Sequence, residues 1–147
     1  MIVSHKHKFI YLATSKTATN SCEKILGGYD ECGHKKHSTL EILDFDFSDY
    51  FVCCFVRNPW DRLLSGYLQS KKLFRTIQSG SYRQYIYDLS NNNSLKNFLK
   101  LADERFWHDY DQSRYYLNKG SPIDFIGRFE NLHSDLNTIL EKIGDKT

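Results

Sequence analysis

The sequence predicts an α/β domain, a central parallel sheet flanked by helices. Two short runs, Phe9-Ile10-Tyr11-Leu12-Ala13 and Phe51-Val52-Cys53-Cys54-Phe55-Val56, are apolar throughout, as strands buried on both faces are. Each gives way to a polar break and then to a helical pattern. A third run, Pro122 to Gly127, precedes an amphipathic helix, so strands and helices alternate along the chain.

The first strand stops at Thr14-Ser15-Lys16-Thr17-Ala18-Thr19-Asn20-Ser21, which is small, hydroxylated and lysine-bearing. A short helix over Ser21 to Leu26 follows and ends at Gly27-Gly28. Tyr29 to His37 is polar and reads as a loop. Ser38 is expected to cap a short helix over Thr39 to Leu43, with Glu41 as its capping-box partner. After the second strand, Arg57-Asn58-Pro59 breaks the run. Pro59 suits the first position of a helix, where its missing N–H has no partner to lose. On that helix Trp60, Leu63, Leu64, Tyr67 and Leu68 form an apolar stripe expected to face the core. Lys71 to Asn93 is polar and tyrosine-rich; Ser94 to Leu101 and Asp111 to Leu117 read as helical. The last helix, Leu132 to Ile143, puts Leu132, Leu136, Ile139, Leu140 and Ile143 on one face, with Gly144 at its C-terminus.

At 147 residues the chain is the size of one domain and can bury a core without staples. Hydrophobic residues at 40% and only 2 prolines and 8 glycines exclude disordered and collagen-like classes. A net charge of +2 is too small to draw in nucleic acid by bulk electrostatics, so any anion site must be local. Cys22, Cys32, Cys53 and Cys54 include no CxxC pair, and Cys53 and Cys54 point to opposite faces of a strand. Neither a disulfide framework nor a zinc site is expected. Reduced thiols, with no apolar leader at Met1 to Lys8 and no span of some 20 apolar residues, predict a cytoplasmic protein without a membrane span.

The first strand and its Lys/Thr/Ser loop have the layout of a phosphate cradle. Loop and helix N-terminal amides add positive potential, Lys16 adds a full charge, and the hydroxyls of Thr17, Thr19 and Ser21 can donate hydrogen bonds. The loop has no glycine, so it is not a Walker A sequence, and an ordinary polar connection is the plain alternative. Arg57 ends the second strand, at the edge where open α/β sheets bind ligands, and its planar fork suits phosphate. Ser65, eight residues on, lies off the apolar ridge and can face the same crevice. A structural salt bridge for Arg57 and a surface position for Ser65 are the competing readings.

Three segments together resemble the PAPS-dependent sulfotransferases, particularly the branch that includes carbohydrate sulfotransferases and bacterial relatives. Phe9 to Leu12 with Lys16-Thr17-Ala18-Thr19-Asn20-Ser21 is similar to the family's 5′-phosphosulfate loop. Phe55-Val56-Arg57-Asn58-Pro59-Trp60-Asp61-Arg62-Leu63-Leu64-Ser65 is similar to its 3′-phosphate motif. Ile123-Asp124-Phe125-Ile126-Gly127-Arg128-Phe129-Glu130-Asn131-Leu132 is similar to a segment typical of that branch. The resemblance implies a P-loop nucleotide-kinase-like sulfotransferase fold over residues 1–147. It also implies that 3′-phosphoadenosine 5′-phosphosulfate (PAPS) is the co-substrate, that PAP is the product and that no metal is needed. Lys16 would hold the phosphosulfate and neutralise the leaving phosphate. Thr17, Ala18, Thr19, Asn20 and Ser21 would cradle it, while Arg57 and Ser65 would bind the 3′-phosphate. Relatives continue beyond the final helix with a segment that helps close over the adenosine and 3′-phosphate, so either a truncated form or a more open site is expected here.

A hydroxyl acceptor, such as that of a carbohydrate, needs a base near neutral pH, and histidine suits. His37 lines up with the histidine this branch carries and is taken as the base, with His34 in reserve; an exposed His-Lys loop is the bland alternative. Lys35 and Lys36 read as solvated charges that could draw in an anionic acceptor. Arg128 and Glu130 are read as ordering the strand-to-helix turn, and tyrosines 82, 85, 87, 110, 115 and 116 as packing residues able to stack on sugar rings. Two other functions fit the residues: a non-catalytic module that binds PAP or a related nucleotide, and a small P-loop kinase. The missing Walker glycines count against the kinase. Acceptor identity and oligomeric state are not encoded in any recognisable motif.

Overall fold

The computed structural model describes residues 1–34, 36–74, 112–115 and 123–144. The chain divides into two compact units, Met1–Arg57 with Asp111–Thr147, and Asn58–Tyr110.

Among the described residues the first unit holds a four-stranded sheet: β1 (Ile2–Ser4), β2 (Phe9–Leu12), β3 (Phe51–Val56) and β4 (Phe125–Arg128), side by side in that order. Phe9 lies opposite Phe51 and Cys53 opposite Phe125 in two parallel ladders, so the three strands expected from sequence are parallel neighbours. β1 adds an antiparallel ladder, Ile2 opposite Tyr11. It escapes sequence detection because three residues display no period. β4 begins at Phe125, after the predicted start at Pro122. Asp124 precedes it and grips β3 twice: its N–H donates to the Val52 carbonyl at 2.8 Å, and its carboxylate accepts from the Val52 N–H at 2.7 Å.

The unit's two helices are α1 (Thr19–Leu26) and α3 (Leu132–Lys142); α2 (Pro59–Phe74) belongs to the second unit. Cys22 and Leu26 of α1 join Leu136 and Ile139 of α3 over Phe9, Tyr11, Cys53 and Phe55. The other sheet face, Val3, Ile10, Leu12, Val52 and Cys54, is closed by Leu40 and Tyr50, with Phe45 and Phe47 against it. The adjacent cysteines thus fall into opposite cores, as strand alternation requires. All four cysteines are unpaired. Burial pushes the Cys53 thiol far up and Cys54 up to about 12, so both stay protonated.

Residues 40–42 form a single 3₁₀ turn rather than the expected helix. Thr39 occupies its N-cap, and no side chain caps it, so the Ser38–Glu41 capping box is not formed. Gly144 follows α3 with φ of 80°, the left-handed position where glycine costs least.

In the second unit, Asn58 caps α2. Its side-chain oxygen accepts from the N–H groups of Trp60 at 3.0 Å and Asp61 at 3.5 Å, and Pro59 takes the first helical position as expected. The predicted apolar stripe is corrected. Arg62 and Tyr67 are buried, whereas Trp60 is 74% and Leu68 56% exposed. Hydropathy alone ranks tryptophan and leucine above arginine, yet an arginine stem can lie on apolar surface while its head stays polar. The predicted helix over 94–101 and the tyrosines at 82, 85, 87, 110 and 116 lie outside the described residues. Of the expected 111–117 helix, Gln112–Tyr115 forms a 3₁₀ turn. No described helix is long and apolar enough to cross a membrane.

Candidate functional site

The loop after β2 turns sharply, with the Thr14 N–H donating to the Leu12 carbonyl at 2.9 Å. Lys16 and Ala18 both take left-handed backbone, φ 63° and 62°, in a loop without glycine. Each such residue costs about 1–2 kcal/mol, so the surroundings must hold it. They do so through two threonines: the hydroxyls of Thr17 and Thr19 donate to the Thr14 carbonyl at 2.8 and 2.6 Å. Both side chains are buried, and their hydroxyl protons point into the loop rather than outward. They brace the cradle; the expectation that these hydroxyls donate to a ligand does not match this arrangement. Left-handed turns of this kind aim main-chain N–H groups into a concavity that suits anions. α1 starts directly afterwards, and no side chain caps its N-terminus.

Arg57 leaves the carboxyl end of β3 beside this loop. Its main chain is held at both polar atoms by the Gln112 side chain: the Arg57 N–H donates to Oε1 at 2.7 Å, and Nε2 donates to the Arg57 carbonyl at 2.8 Å. Its guanidinium lies 4.0 Å over the Phe129 ring, and Nη1 donates to the Lys16 carbonyl at 3.4 Å. Among the described residues no carboxylate pairs with it, and its Nε is buried with no hydrogen-bond partner. Lys16 is half-buried. Burial first, and then repulsion from Arg57, holds its ammonium below the usual lysine range. Two cationic side chains therefore meet at the carboxyl ends of adjacent parallel strands, the edge where open α/β sheets take ligands.

His37 is drawn to the same edge. Its Nδ1 lies 2.5 Å from the carbonyl of Ala13, one residue before Thr14. A carbonyl only accepts, so Nδ1 carries the proton and Nε2 the lone pair. Burial pulls the imidazole below its usual pKa, and nearby Lys36 adds to the effect, outweighing the Ala13 bond that raises it. The result is a neutral histidine with its basic nitrogen set. His34 is half-buried, and its Nε2 has no hydrogen-bond partner. Lys36 is exposed, as expected of a solvated charge, and is also held: its ammonium donates to Asn20 Oδ1 at 2.6 Å and pairs with Glu23. Ser21 and Asn20 are exposed on the first turn of α1. Ser65 is half-buried on α2, in the second unit.

Gln112 and Phe129 were not predicted. Neither belongs to a recognisable pattern; Phe129 sits in the third family-like segment, but only the fold reveals that it lies under a guanidinium. The turn into α3 is ordered by Asp135, whose carboxylate accepts from the Arg128 N–H at 2.6 Å. The Arg128 and Glu130 side chains at this turn are exposed.

A strand–loop–helix turn with a half-buried lysine, joined by a guanidinium from the next strand, sets two cations at the sheet edge of an α/β domain. Residues 1–145 match the sulfotransferase family, and the chain belongs to it. Membership makes sulfuryl transfer to a hydroxyl-bearing acceptor its chemistry in general terms. The chain is also 33% identical to an uncharacterised protein of Archaeoglobus fulgidus over 102 residues, 67% of this chain and 71% of that one. No solved structure matches it.

Proposed function

We propose that the protein transfers a sulfuryl group from PAPS to an acceptor hydroxyl of a carbohydrate, with His37 as general base. The observation that carries this reading is the meeting of Lys16 and Arg57, the latter with a buried, unpartnered Nε. Such a pair, with no carboxylate of the described residues on Arg57, favours a multiply charged anion. The carbohydrate acceptor rests on the likeness of the segments ending at Ser65 and Leu132 to the carbohydrate branch. Four unpaired thiols support a cytoplasmic setting.

PAPS supplies the sulfuryl group, which leaves the 5′-phosphate oxygen as a bond from sulfur to the acceptor oxygen forms. His37 Nε2 takes the acceptor's hydroxyl proton. Lys16 neutralises the negative charge that grows on the departing phosphate, and the main chain of residues 17–21 holds that phosphate in line. Arg57 grips the 3′-phosphate, Ser65 being assigned to that phosphate by the motif resemblance alone, and the Phe129 ring orients the guanidinium. His34 is the alternative proton acceptor in the same loop.

PAP at a hundredfold excess over its dissociation constant is expected to stabilise the protein by about 2.7 kcal/mol. Lys16→Ala and Arg57→Ala should each abolish that shift in a thermal melt; an undiminished shift in both variants rejects the site. His37→Ala should lower sulfuryl transfer about 10²–10⁴-fold. An unchanged rate moves the base elsewhere, with His34→Ala as the next variant. PAP binding without transfer to a wide acceptor panel would favour a non-catalytic nucleotide-binding module.

A further inference from the structure

The loop that carries His37 is tied to β1 where it begins, the Glu31 N–H donating to the Val3 carbonyl at 2.9 Å. It runs through Gly33, which is left-handed at φ 60°, and His37 itself is left-handed at φ 63°, a costly backbone for a residue other than glycine. Between them Lys36 reaches back to α1. Its ammonium donates to Asn20 Oδ1 at 2.6 Å and pairs with Glu23 across the first two turns of that helix. The next residue along the chain places its imidazole on the Ala13 carbonyl. The two attachments bracket the cradle: one lies at its entrance from β2, the other on the helix that leaves it.

We propose that Lys36 is a positioning residue for the general base, clamping the His37 loop to α1 through Asn20 and Glu23 so that His37 stays seated on the Ala13 carbonyl. The inference rests on the reading of His37 as base. Three features support it. The clamp and the histidine are adjacent in sequence, so the freedom of one is the freedom of the other. A lysine ammonium only donates, so it also fixes the Asn20 amide with its oxygen toward Lys36, leaving the NH₂ as the donor turned to other partners. The Lys36–Glu23 pair is only partly exposed, at 39% and 30% of the two side chains. It can therefore retain more strength than a fully solvated pair.

The charges around His37 are those of Lys36, Glu23 and the chain's amino terminus, with the neutral Ala13 carbonyl in contact. Lys36→Met removes both the clamp and a neighbouring positive charge. Lys36→Arg keeps the charge and a donor able to reach Asn20 and Glu23. Two measurements test the proposal in the whole chain. NMR titration of the His37 ring, which needs no turnover, should show its midpoint moving up in Lys36→Met and returning toward wild type in Lys36→Arg. The transfer rate at saturating co-substrate should fall on the order of 10–100-fold in Lys36→Met, with most of it regained in Lys36→Arg. An unmoved His37 titration in Lys36→Met overturns the proposal, as does a full transfer rate in that variant. Failure of the underlying reading looks different: His37→Ala would keep its rate while the His37 titration still responds to Lys36→Met.

Discussion

Lys16 and Ala18 adopt a backbone that glycine would adopt without strain, and the protein tolerates both because Thr17 and Thr19 lock the turn on the Thr14 carbonyl. The two left-handed residues differ in what they return. Lys16 carries charge into the cradle, and its ammonium is held below its usual range by burial and by Arg57, so an anion placed between the two cations would relieve both effects. Ala18 has no such role for its methyl group. Ala18→Gly is therefore expected to stabilise the protein. It relieves about 1–2 kcal/mol of backbone strain, against about 0.4–1 kcal/mol of added freedom in the unfolded chain, for a net gain of about 0.5–1 kcal/mol. Ala18→Val should instead destabilise by more than 1 kcal/mol, because a β-branched side chain is an outlier at positive φ. Urea unfolding of the two variants gives both signs. A common sign would mean that the surroundings, not the strain, set the cost at this position.

At the scale of elements, the tightest constraint joins β3 to β4. Phe55 and Gly127 are direct partners in the parallel ladder, and a Cβ on Gly127 would sit 2.5 Å from the fully buried Phe55 ring. The glycine is there for close approach. Gly127→Ala should destabilise by about 1–3 kcal/mol as the ring is driven from its rotamer. Adding Phe55→Leu in that background should recover part of the loss, since the smaller side chain vacates the contested space. Calorimetry of the two variants reads this directly, and equal melting temperatures for wild type and Gly127→Ala would contradict it. The consequence reaches the site, because β3 ends at Val56, directly before Arg57, and β4 ends at Arg128, one residue before the Phe129 ring that supports the guanidinium. The cap of α2 illustrates the opposite case, a start made by neighbours in sequence: the Asn58 side chain accepts from the Trp60 N–H and Pro59 takes the first helical position.

At the scale of the molecule, His37 links proton binding to stability. Its native pKa lies below the 6.5 of an unfolded histidine. As pH falls through 6.5, the unfolded chain takes up that proton before the native one, so stability is full above 6.5 and declines below it until native His37 also protonates. The difference in unfolding free energy between wild type and His37→Asn should be constant at neutral and alkaline pH and should change below 6.5; a pH-independent difference would show that the depressed value is not real. The same titration predicts that the acid limb of the transfer rate lies below 6.5, with a plateau at neutral pH where the imidazole is unprotonated.

How much was legible follows the range of the interactions. Apolar runs and their breaks identified β2, β3, α1 and α3 almost to their ends and the start of α2, which runs on to Phe74 into the stretch read as polar; the lysine loop and Arg57 stood out because their residue types are unusual at the ends of buried strands. Those are properties of neighbouring residues, set by backbone sterics, propensity and hydropathy. Tertiary structure alone decided that Lys16 meets Arg57 across 41 residues, that His37 rests on Ala13 across 24, and that Gln112 clamps Arg57 across 55. It also turned the apolar side chains Trp60 and Leu68 of α2 outward. The reason is physical: a hydrogen bond or charge contact between distant residues leaves no period in the chain, and it exists only once the sheet has brought their strand ends together.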